Sequence, residues 1–369
     1  MSKFMIISPK NKTLYNFRGD LIKDIIKKGY DVVAIGPNKD NLEEVLRLGV
    51  SFREVELKKD KVSILSDLDY YRKLKEIIKE EKPDIVFSYT IKPVIYGSLA
   101  AKKNGIKNIY AMVTGLGRLF ASNGLKTKIV RIISSILYKK AFKCCNKVIF
   151  QNEDDINQLV EANVINREKT VKVDGSGVNM DKFKYSENPL NDKFIMVSRI
   201  IREKGVLEYL NAAEIVKNKY PKAEFILLGG YDSSIGALTK EDIEYYLNNN
   251  IVSIPGETNN VIPFYQDHMC FVLPSYYREG LPRTILESLS IGRPVITTDW
   301  TGCRDAIEDG VNGFLVPIKD SETLAEKMIW MIEHHKEVKK FSENNNKKCK
   351  KIYDVNVVNK KMLEIMEMN

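Results

Sequence analysis

The chain has 369 residues, 44% hydrophobic and 29% charged, with a formal net charge of +9. At roughly 100 to 200 residues per domain this length holds about two domains with a sizeable core, which excludes a lone small module and a disordered chain. Five cysteines, at positions 144, 145, 270, 303 and 349, are too few and too irregular for a disulfide framework and include no zinc-type pair, so reduced thiols are expected.

No run reaches the ~18 apolar residues of a membrane span, and residues 1–7 meet Ser8-Pro9-Lys10 before a signal-peptide core can form. A cytoplasmic protein is the expectation. The charge is uneven: residues 1–190 carry 35 basic and 23 acidic side chains, whereas 191–369 carry 23 and 26. Within the first half, residues 85–152 contain twelve Lys or Arg and no Asp or Glu, so that half should meet a polyanion. No zinc finger, basic helix-turn-helix or aromatic stacking motif accompanies those lysines, which argues against nucleic acid.

In chain order, short apolar runs at 4–8, 32–37, 84–89 and 107–112 read as strands, each followed by an amphipathic stretch. This is the pattern of βαβ units on a parallel sheet. Leu125, Ile129, Ile132, Ile133, Ile136 and Leu137 then form an apolar helical stripe with Lys126, Lys128 and Arg131 at its sides, and Lys140 and Lys143 fall on the same side as the stripe. Two readings are open. In one the helix lies partly in a lipid interface, with Lys126, Arg131, Lys140 and Lys143 reaching phosphates. In the other it packs normally over 125–137 and the later lysines are solvated.

After 174–191, punctuated by Gly175, Gly177 and Pro189, the pattern restarts at 193–198 and continues through 224–228, 251–254, 270–273 and 295–298. Two Rossmann-like, doubly wound α/β domains follow, at 1–175 and 190–350, facing each other across a cleft. The Lys-rich helical stretch 345–369 is placed to cross back onto the first domain, with about 352–369 packing there.

The chemistry concentrates in the second domain. The stretch Pro274-Ser275-Tyr276-Tyr277-Arg278-Glu279-Gly280-Leu281-Pro282-Arg283-Thr284-Ile285-Leu286-Glu287 leaves a strand and opens a helix near Pro282 or Arg283, where proline is favourable because its missing N–H had no intrahelical partner. Main-chain N–H groups around Arg283 and Thr284, at the positive end of the helix dipole, suit a diphosphate. Glu279 and Glu287, eight apart, are placed to touch different parts of one elongated ligand rather than to form a dyad. Arg199 and Lys204, in Ser198-Arg199-Ile200-Ile201-Arg202-Glu203-Lys204-Gly205, occupy another strand-end loop. A guanidinium fork plus an ammonium there would neutralise a diphosphate. The triplet Arg202-Glu203-Lys204 reads equally well as a solvated charged turn. Asp67-Leu68-Asp69 fits a metal-binding pattern, but aspartate is favoured at a helix start anyway, and no metal is expected.

With Ser253-Ile254-Pro255-Gly256-Glu257, Arg293-Pro294-Val295-Ile296-Thr297-Thr298-Asp299 and Gly310-Val311-Asn312-Gly313-Phe314-Leu315-Val316 added, the second domain resembles the family-four retaining glycosyltransferases of the GT-B fold. Through Leu14-Tyr15-Asn16-Phe17-Arg18, Val113-Thr114-Gly115-Leu116-Gly117 and Leu137-Tyr138-Lys139-Lys140-Ala141-Phe142-Lys143, the first domain resembles a bacterial branch that adds N-acetylated hexosamines to undecaprenyl-diphosphate glycans. The resemblance implies that Arg199 and Lys204 bind the diphosphate, Glu279 contacts the transferred sugar and Glu287 holds the ribose hydroxyls. It also places main-chain groups of Leu281, Arg283 and Thr284 on donor sugar and phosphate, and Gly256 and Glu257 along the base. Asn16, Arg18, Thr114 and Gly115 are implied on the first domain's side of the cleft. The family's usual first-domain histidine has no counterpart, since the three histidines are His268, His334 and His335; Thr114 stands at the corresponding turn. Where many members have paired glycines after the first strand, this chain has Pro9-Lys10-Asn11-Lys12.

The implied activity is transfer of a sugar from a UDP-sugar to a polyprenyl-diphosphate-linked saccharide in capsule, O-antigen or glycan assembly. Anomeric configuration would be retained, no metal or other cofactor would be required, and the enzyme would sit in the cytoplasm, peripheral on the inner face of the membrane and its anionic surface. The alternatives are a diacylglycerol or soluble sugar acceptor, a GT-B sugar-nucleotide epimerase, and a non-catalytic nucleotide-sugar binder, against which the intact set Glu279, Glu287, Arg199 and Lys204 argues.

Overall fold

The computed structural model describes residues 2–58, 63–117, 125–232 and 236–368, with backbone only for residues 125–127. The chain divides into two compact units, Met1–Ser176 with Val355–Asn369, and Gly177–Asp354.

The first unit is built on a parallel sheet of β1 (Lys3–Ile7), β2 (Asp31–Gly36), β3 (Ser51–Glu54), β4 (Ile85–Tyr89), β5 (Asn108–Val113), β6 (Lys147–Phe150) and β7 (Thr170–Lys172), in the order β3-β2-β1-β4-β5-β6-β7. The four strands legible as apolar runs are the central ones. Their side chains are buried on both faces, so they carry unbroken hydrophobic sequence. The sequence reading omitted β3, β6 and β7. Each has only three or four residues, and β3 and β7 are edge strands whose side chains are half-buried or exposed, leaving no continuous apolar signal.

One face of this sheet carries α1 (Asn11–Phe17), α2 (Gly19–Lys27) and α3 (Leu42–Leu46), through Leu14, Leu21, Ile22, Ile25 and Val45. The other carries α4 (Ile64–Glu81), α5 (Ser98–Lys103), α6 (Leu125–Cys144) and α7 (Glu153–Glu161), through Tyr70, Leu74, Ile78, Tyr138, Phe142, Ile156 and Leu159. Helix α6 packs through Tyr138, Ala141 and Phe142. Its isoleucine stripe does not pack: Ile129, Ile132, Ile133 and Ile136 are 48% to 61% exposed. The reading in which residues 125–137 bury that stripe is therefore corrected, because the aromatic side of the helix, not the isoleucine side, meets the sheet. The side chains of Leu125 and Lys126 lie outside the described residues.

The second unit has a parallel sheet of β8 (Lys193–Val197), β9 (Glu224–Leu228), β10 (Ser253–Gly256), β11 (Cys270–Leu273), β12 (Val295–Thr298) and β13 (Gly313–Val316), ordered β10-β9-β8-β11-β12-β13. Around it lie α8 (Val206–Lys219), α9 (Glu244–Asn248), α10 (Ile262–Asp267), α11 (Arg283–Ile291), α12 (Ser321–Glu333) and α13 (His335–Lys348). The stretch after Gly177 is built into this unit: Phe183 joins its core and the Val178 N–H donates to the Tyr353 carbonyl at 2.8 Å. Arg293 ties the same stretch down. It is completely buried, and its guanidinium donates to the carbonyls of Tyr265 (2.8 Å), Ser186 (3.2 Å) and Glu187 (3.1 Å) and to the Ser186 hydroxyl. Burial pulls its pKa down to about 10, so it remains a cation at neutral pH and its charge is dispersed over carbonyl dipoles.

A π-helical turn, Cys349–Tyr353, ends this unit, and α14 (Val355–Ile365) then packs against α2 in the first unit through Val358 and Met362, with Asn359 donating to Asp24 at 2.8 Å. Each sheet reverses its strand order once, between β1 and β4 and between β8 and β11. The carboxyl ends of strands at such a reversal are splayed apart by their diverging connections, and ligands of open α/β sheets bind there.

Candidate active site

In the second unit the residues predicted from sequence gather at that reversal. Arg199 and Lys204 lie on the connection after β8, and Ser275 through Pro282 on the connection after β11. The two connections are joined directly: Tyr276 N–H donates to the Glu203 carbonyl at 2.9 Å, and Ser275 Oγ lies 3.3 Å from the same carbonyl. Gly205, at φ +76°, makes the approach possible. A Cβ there would lie 2.1 Å from the Pro274 carbonyl oxygen, so no other residue fits without moving the β11 connection.

This approach brings Lys204 to Glu279. The Lys204 ammonium donates to both Glu279 carboxylate oxygens at 2.7 Å, and Ser275 Oγ donates to Glu279 Oε1 at 3.2 Å. Both side chains are largely withdrawn from water, at 12% and 18% exposure. Arg199 is more open and donates to Asp232 Oδ2 at 2.6 Å. The Tyr277 ring lies near both cations, 5.9 Å from Arg199 Cζ and 5.8 Å from Lys204 Nζ. The charged triplet is thus divided: Arg202 turns outward to Asp242 at 2.9 Å, whereas Lys204 turns in. Lys204 and Glu279, assigned separately to diphosphate and sugar, form one ion pair, and any anion reaching Lys204 meets a carboxylate already in place.

The support beneath Glu279 was not legible as a motif. Gly302, at φ +82°, sits against the loop so closely that a Cβ would lie 1.9 Å from the Gly280 carbonyl oxygen and 2.6 Å from that of Glu279. Thr298 Oγ1 donates to the Ser275 carbonyl from the end of β12. Cys303 is buried alongside, and burial pushes its thiol up to about 12, so it remains neutral packing.

Helix α11 begins at Arg283 with Pro282 as its N-cap and no side-chain cap. The N–H groups of Ile285 and Leu286 donate to the Pro282 carbonyl at 3.1 and 3.4 Å, and the positive end of the helix dipole lies at this turn. Glu287, one turn in, is 14% exposed and 3.4 Å from Arg283 Nε. Tyr265, from α10, donates its hydroxyl to the Thr284 carbonyl at 3.3 Å and lies 3.5 Å from Glu287 Oε2. Burial raises the Glu287 pKa to about 6, with Arg283 pulling the other way. Glu279 and Glu287 therefore have separate partners and do not form a dyad. Gly256 ends β10 at φ +94°, and the Glu257 carboxylate lies over Gly230, where a Cβ would come within 2.2 Å of its Oε1. Leu281 is buried and Thr284 half-buried. Asp232, Ser275, Tyr265 and Gly302 are the residues sequence reasoning missed; of these only Ser275, inside the quoted motif, carried a signal.

In the first unit, Ser8 and Tyr89 meet at the β1/β4 reversal: Tyr89 OH donates to Ser8 Oγ at 2.6 Å and lies 2.8 Å from Thr13 Oγ1. Thr90, the next residue, is held at φ +69°, a conformation that costs energy in a β-branched residue and tends to mark functional loops. Asn16 is exposed on α1. Arg18, expected at the open side, is instead packed: it is 4% exposed, donates to Met112 Sδ at 2.8 Å and lies over the Tyr89 ring. Its place after α1 directs it at the sheet, so it braces Tyr89. Thr114 and Gly115 are half-buried just past β5, with Gly115 at φ +114°. Lys140 and Lys143 are exposed and Arg131 half-buried. Asp67 and Asp69 diverge, to Lys92 at 2.7 Å and to Lys73 at 2.8 Å.

Two doubly wound parallel sheets, one carrying cations, a carboxylate and a helix N-terminus at its strand reversal, define a GT-B glycosyltransferase. Family models agree: residues 179–348 match Glycosyl transferases group 1 and residues 7–152 match Glycosyl transferase 4-like. The chain belongs to the GT-B glycosyltransferases of the family-four type. It is 27% identical to the N,N'-diacetylbacillosaminyl-diphospho-undecaprenol alpha-1,3-N-acetylgalactosaminyltransferase of Campylobacter jejuni, over 98% of this chain and 97% of that one. It is 26% identical to the UDP-Gal:alpha-D-GlcNAc-diphosphoundecaprenol alpha-1,3-galactosyltransferase of Escherichia coli, over 80% and 77%. The crystal structure of Anabaena Alr3699/HepE in complex with UDP and glucose shares the fold, with a TM-score of 0.80, 17% identity and 100% coverage of both chains. Among the described residues, no helix is long and apolar enough to cross a membrane.

Proposed function

We propose that this glycosyltransferase moves a sugar, an N-acetylated hexosamine, from a UDP-sugar to a saccharide carried on a polyprenyl diphosphate, retaining the anomeric configuration. The observation that carries the reading is the paired Lys204 and Glu279 beside Arg199 at the β8/β11 reversal, next to a helix start that suits a diphosphate. The two relatives named above, whose names specify undecaprenyl-diphosphate-linked substrates, support the acceptor class.

In this reading the acceptor hydroxyl oxygen forms a bond to the anomeric carbon as the bond from that carbon to the donor phosphate oxygen breaks. The electron pair leaves with UDP, and the acceptor proton passes to the departing phosphate oxygen on the same face. Lys204, Arg199 and the first-turn N–H groups of α11 stabilise the charge on the diphosphate as it departs. Because these groups supply positive charge directly, the proposal needs no metal. Glu279, held by Lys204 and Ser275, orients a sugar hydroxyl, and Glu287 accepts hydrogen bonds from the ribose. The enzyme works from the cytoplasm, peripheral on the inner face of the membrane.

Incubation with a panel of UDP-sugars and undecaprenyl-diphosphate saccharides, read by product mass and anomeric coupling, tests the assignment. Glu279→Gln is expected to lower kcat/KM by on the order of 100-fold, about 3 kcal/mol. A loss of threefold or less would refute the role of Glu279. Interconversion of a UDP-sugar without acceptor would replace transfer by epimerisation.

A further inference from the structure

The outer face of α6 is unusual for a helix of a packed α/β unit. Ile129, Ile132, Ile133 and Ile136 point away from the sheet, and Lys140 and Lys143 continue the same face toward the helix end, all exposed. Burial of the opposite side by Tyr138, Ala141 and Phe142 fixes this orientation, and the stacked Tyr138 and Phe142 rings, 4.8 Å apart, anchor it. Four isoleucines on one helix face form a contiguous apolar patch of the kind that marks an interaction site. At 1.5 Å rise per residue the face from 129 to 143 is about 21 Å long, apolar over its first half and cationic over its second.

We propose that this face docks on a lipid bilayer bearing anionic headgroups, with the isoleucine turns entering the boundary of the acyl chains and Lys140 and Lys143 binding lipid phosphates. Charge selects this occupant. The helix lies within residues 85–152, which contain twelve basic and no acidic side chains, so this stretch of the chain favours an anionic plane. A second copy of the chain would set Lys140 and Lys143 against the same cations if it met the face in parallel, and against isoleucines if it met it antiparallel, so neither arrangement offers the lysines an anion. A protein partner with an apolar face alone would leave the lysines unused. The surface serves a lipid-linked acceptor and in that respect rests on the function proposed above.

The test is flotation of the full chain with vesicles of phosphatidylcholine and phosphatidylglycerol (3:1), and with phosphatidylcholine alone. Wild type is expected to float with the anionic vesicles and at least about tenfold less with the neutral ones, a steep but reasonable effect for several lysines at a charged surface. Ile132→Asn/Ile136→Asn and Lys140→Glu/Lys143→Glu should each lower partitioning about tenfold. Because Ile132 and Ile136 are exposed, their variant should keep its melting temperature. It should also keep turnover within twofold on a water-soluble short-chain prenyl-diphosphate acceptor while losing at least fivefold on the same saccharide in vesicles. Wild type that stays at the bottom of the gradient, or variants that float like wild type, would overturn the proposal. So would a dimer that Ile132→Asn/Ile136→Asn dissociates without changing flotation. Expected flotation with no transfer to any lipid-linked acceptor would uphold the surface and sink the proposed reaction.

Discussion

Lowering the pH from 7 to 5 is expected to weaken UDP-sugar binding roughly tenfold through one carboxylate, Glu287. Burial on α11, against Tyr265 of α10, raises its pKa to about 6, a displacement worth about 2 kcal/mol against the ionised form. With that value the side chain is roughly 90% ionised at pH 7 and roughly 10% at pH 5, and the carboxylate offers the ribose hydroxyls two charged acceptor oxygens, one of which protonation turns into a donor. Calorimetric titration with a UDP-sugar is the suitable assay, since its diphosphate is a diester without the second phosphate ionisation near pH 6 that would confound UDP itself. Glu287→Gln should bind about tenfold to a hundredfold more weakly at pH 7, as expected for a charged hydrogen bond, with no pH dependence between 5 and 7. The stability effect has the opposite sign. Between about pH 4.5 and 6 the folded protein holds a proton that the unfolded chain has released, so stability falls as pH rises through that window. Glu287→Gln should therefore raise the melting temperature at pH 7.5, by about 5 °C for a unit of this size, and leave it unchanged near pH 4.5. A flat wild-type binding profile, or the same profile in the glutamine variant, would refute both the burial argument and the ribose assignment.

Gly302→Ala should lower kcat by on the order of 100-fold with a modest loss of stability, because the added methyl displaces the Glu279–Gly280 carbonyls on which it would sit; turnover within threefold of wild type would show that the loop tolerates the shift. Arg293→Leu should destabilise the second unit by about 3 to 5 kcal/mol, since it strips the donor from three carbonyls. Thermal melting should show a drop of about 10 °C, and an unchanged melting temperature would show that water replaces the guanidinium.

The two doubly wound sheets were legible in the chain because parallel strands buried on both faces must be continuous apolar runs, and helices between them must be amphipathic. For the same reason β3 and β7 were invisible: three or four half-exposed residues at a sheet edge impose no pattern. The residue types around Glu279 and Glu287 were legible because a strand, a short loop and a proline-started helix leave a linear trace. Tertiary structure alone decided the pairing of Lys204 with Glu279, since their contact spans 75 positions and depends on Gly205 admitting the Pro274 carbonyl. It also decided that Arg18 is packed rather than presented. The isoleucine stripe of α6 shows the limit most clearly. Its periodicity specifies a helix with an apolar side, but which side meets the sheet depends on competition with Tyr138 and Phe142 for a surface that exists only once the strands have paired.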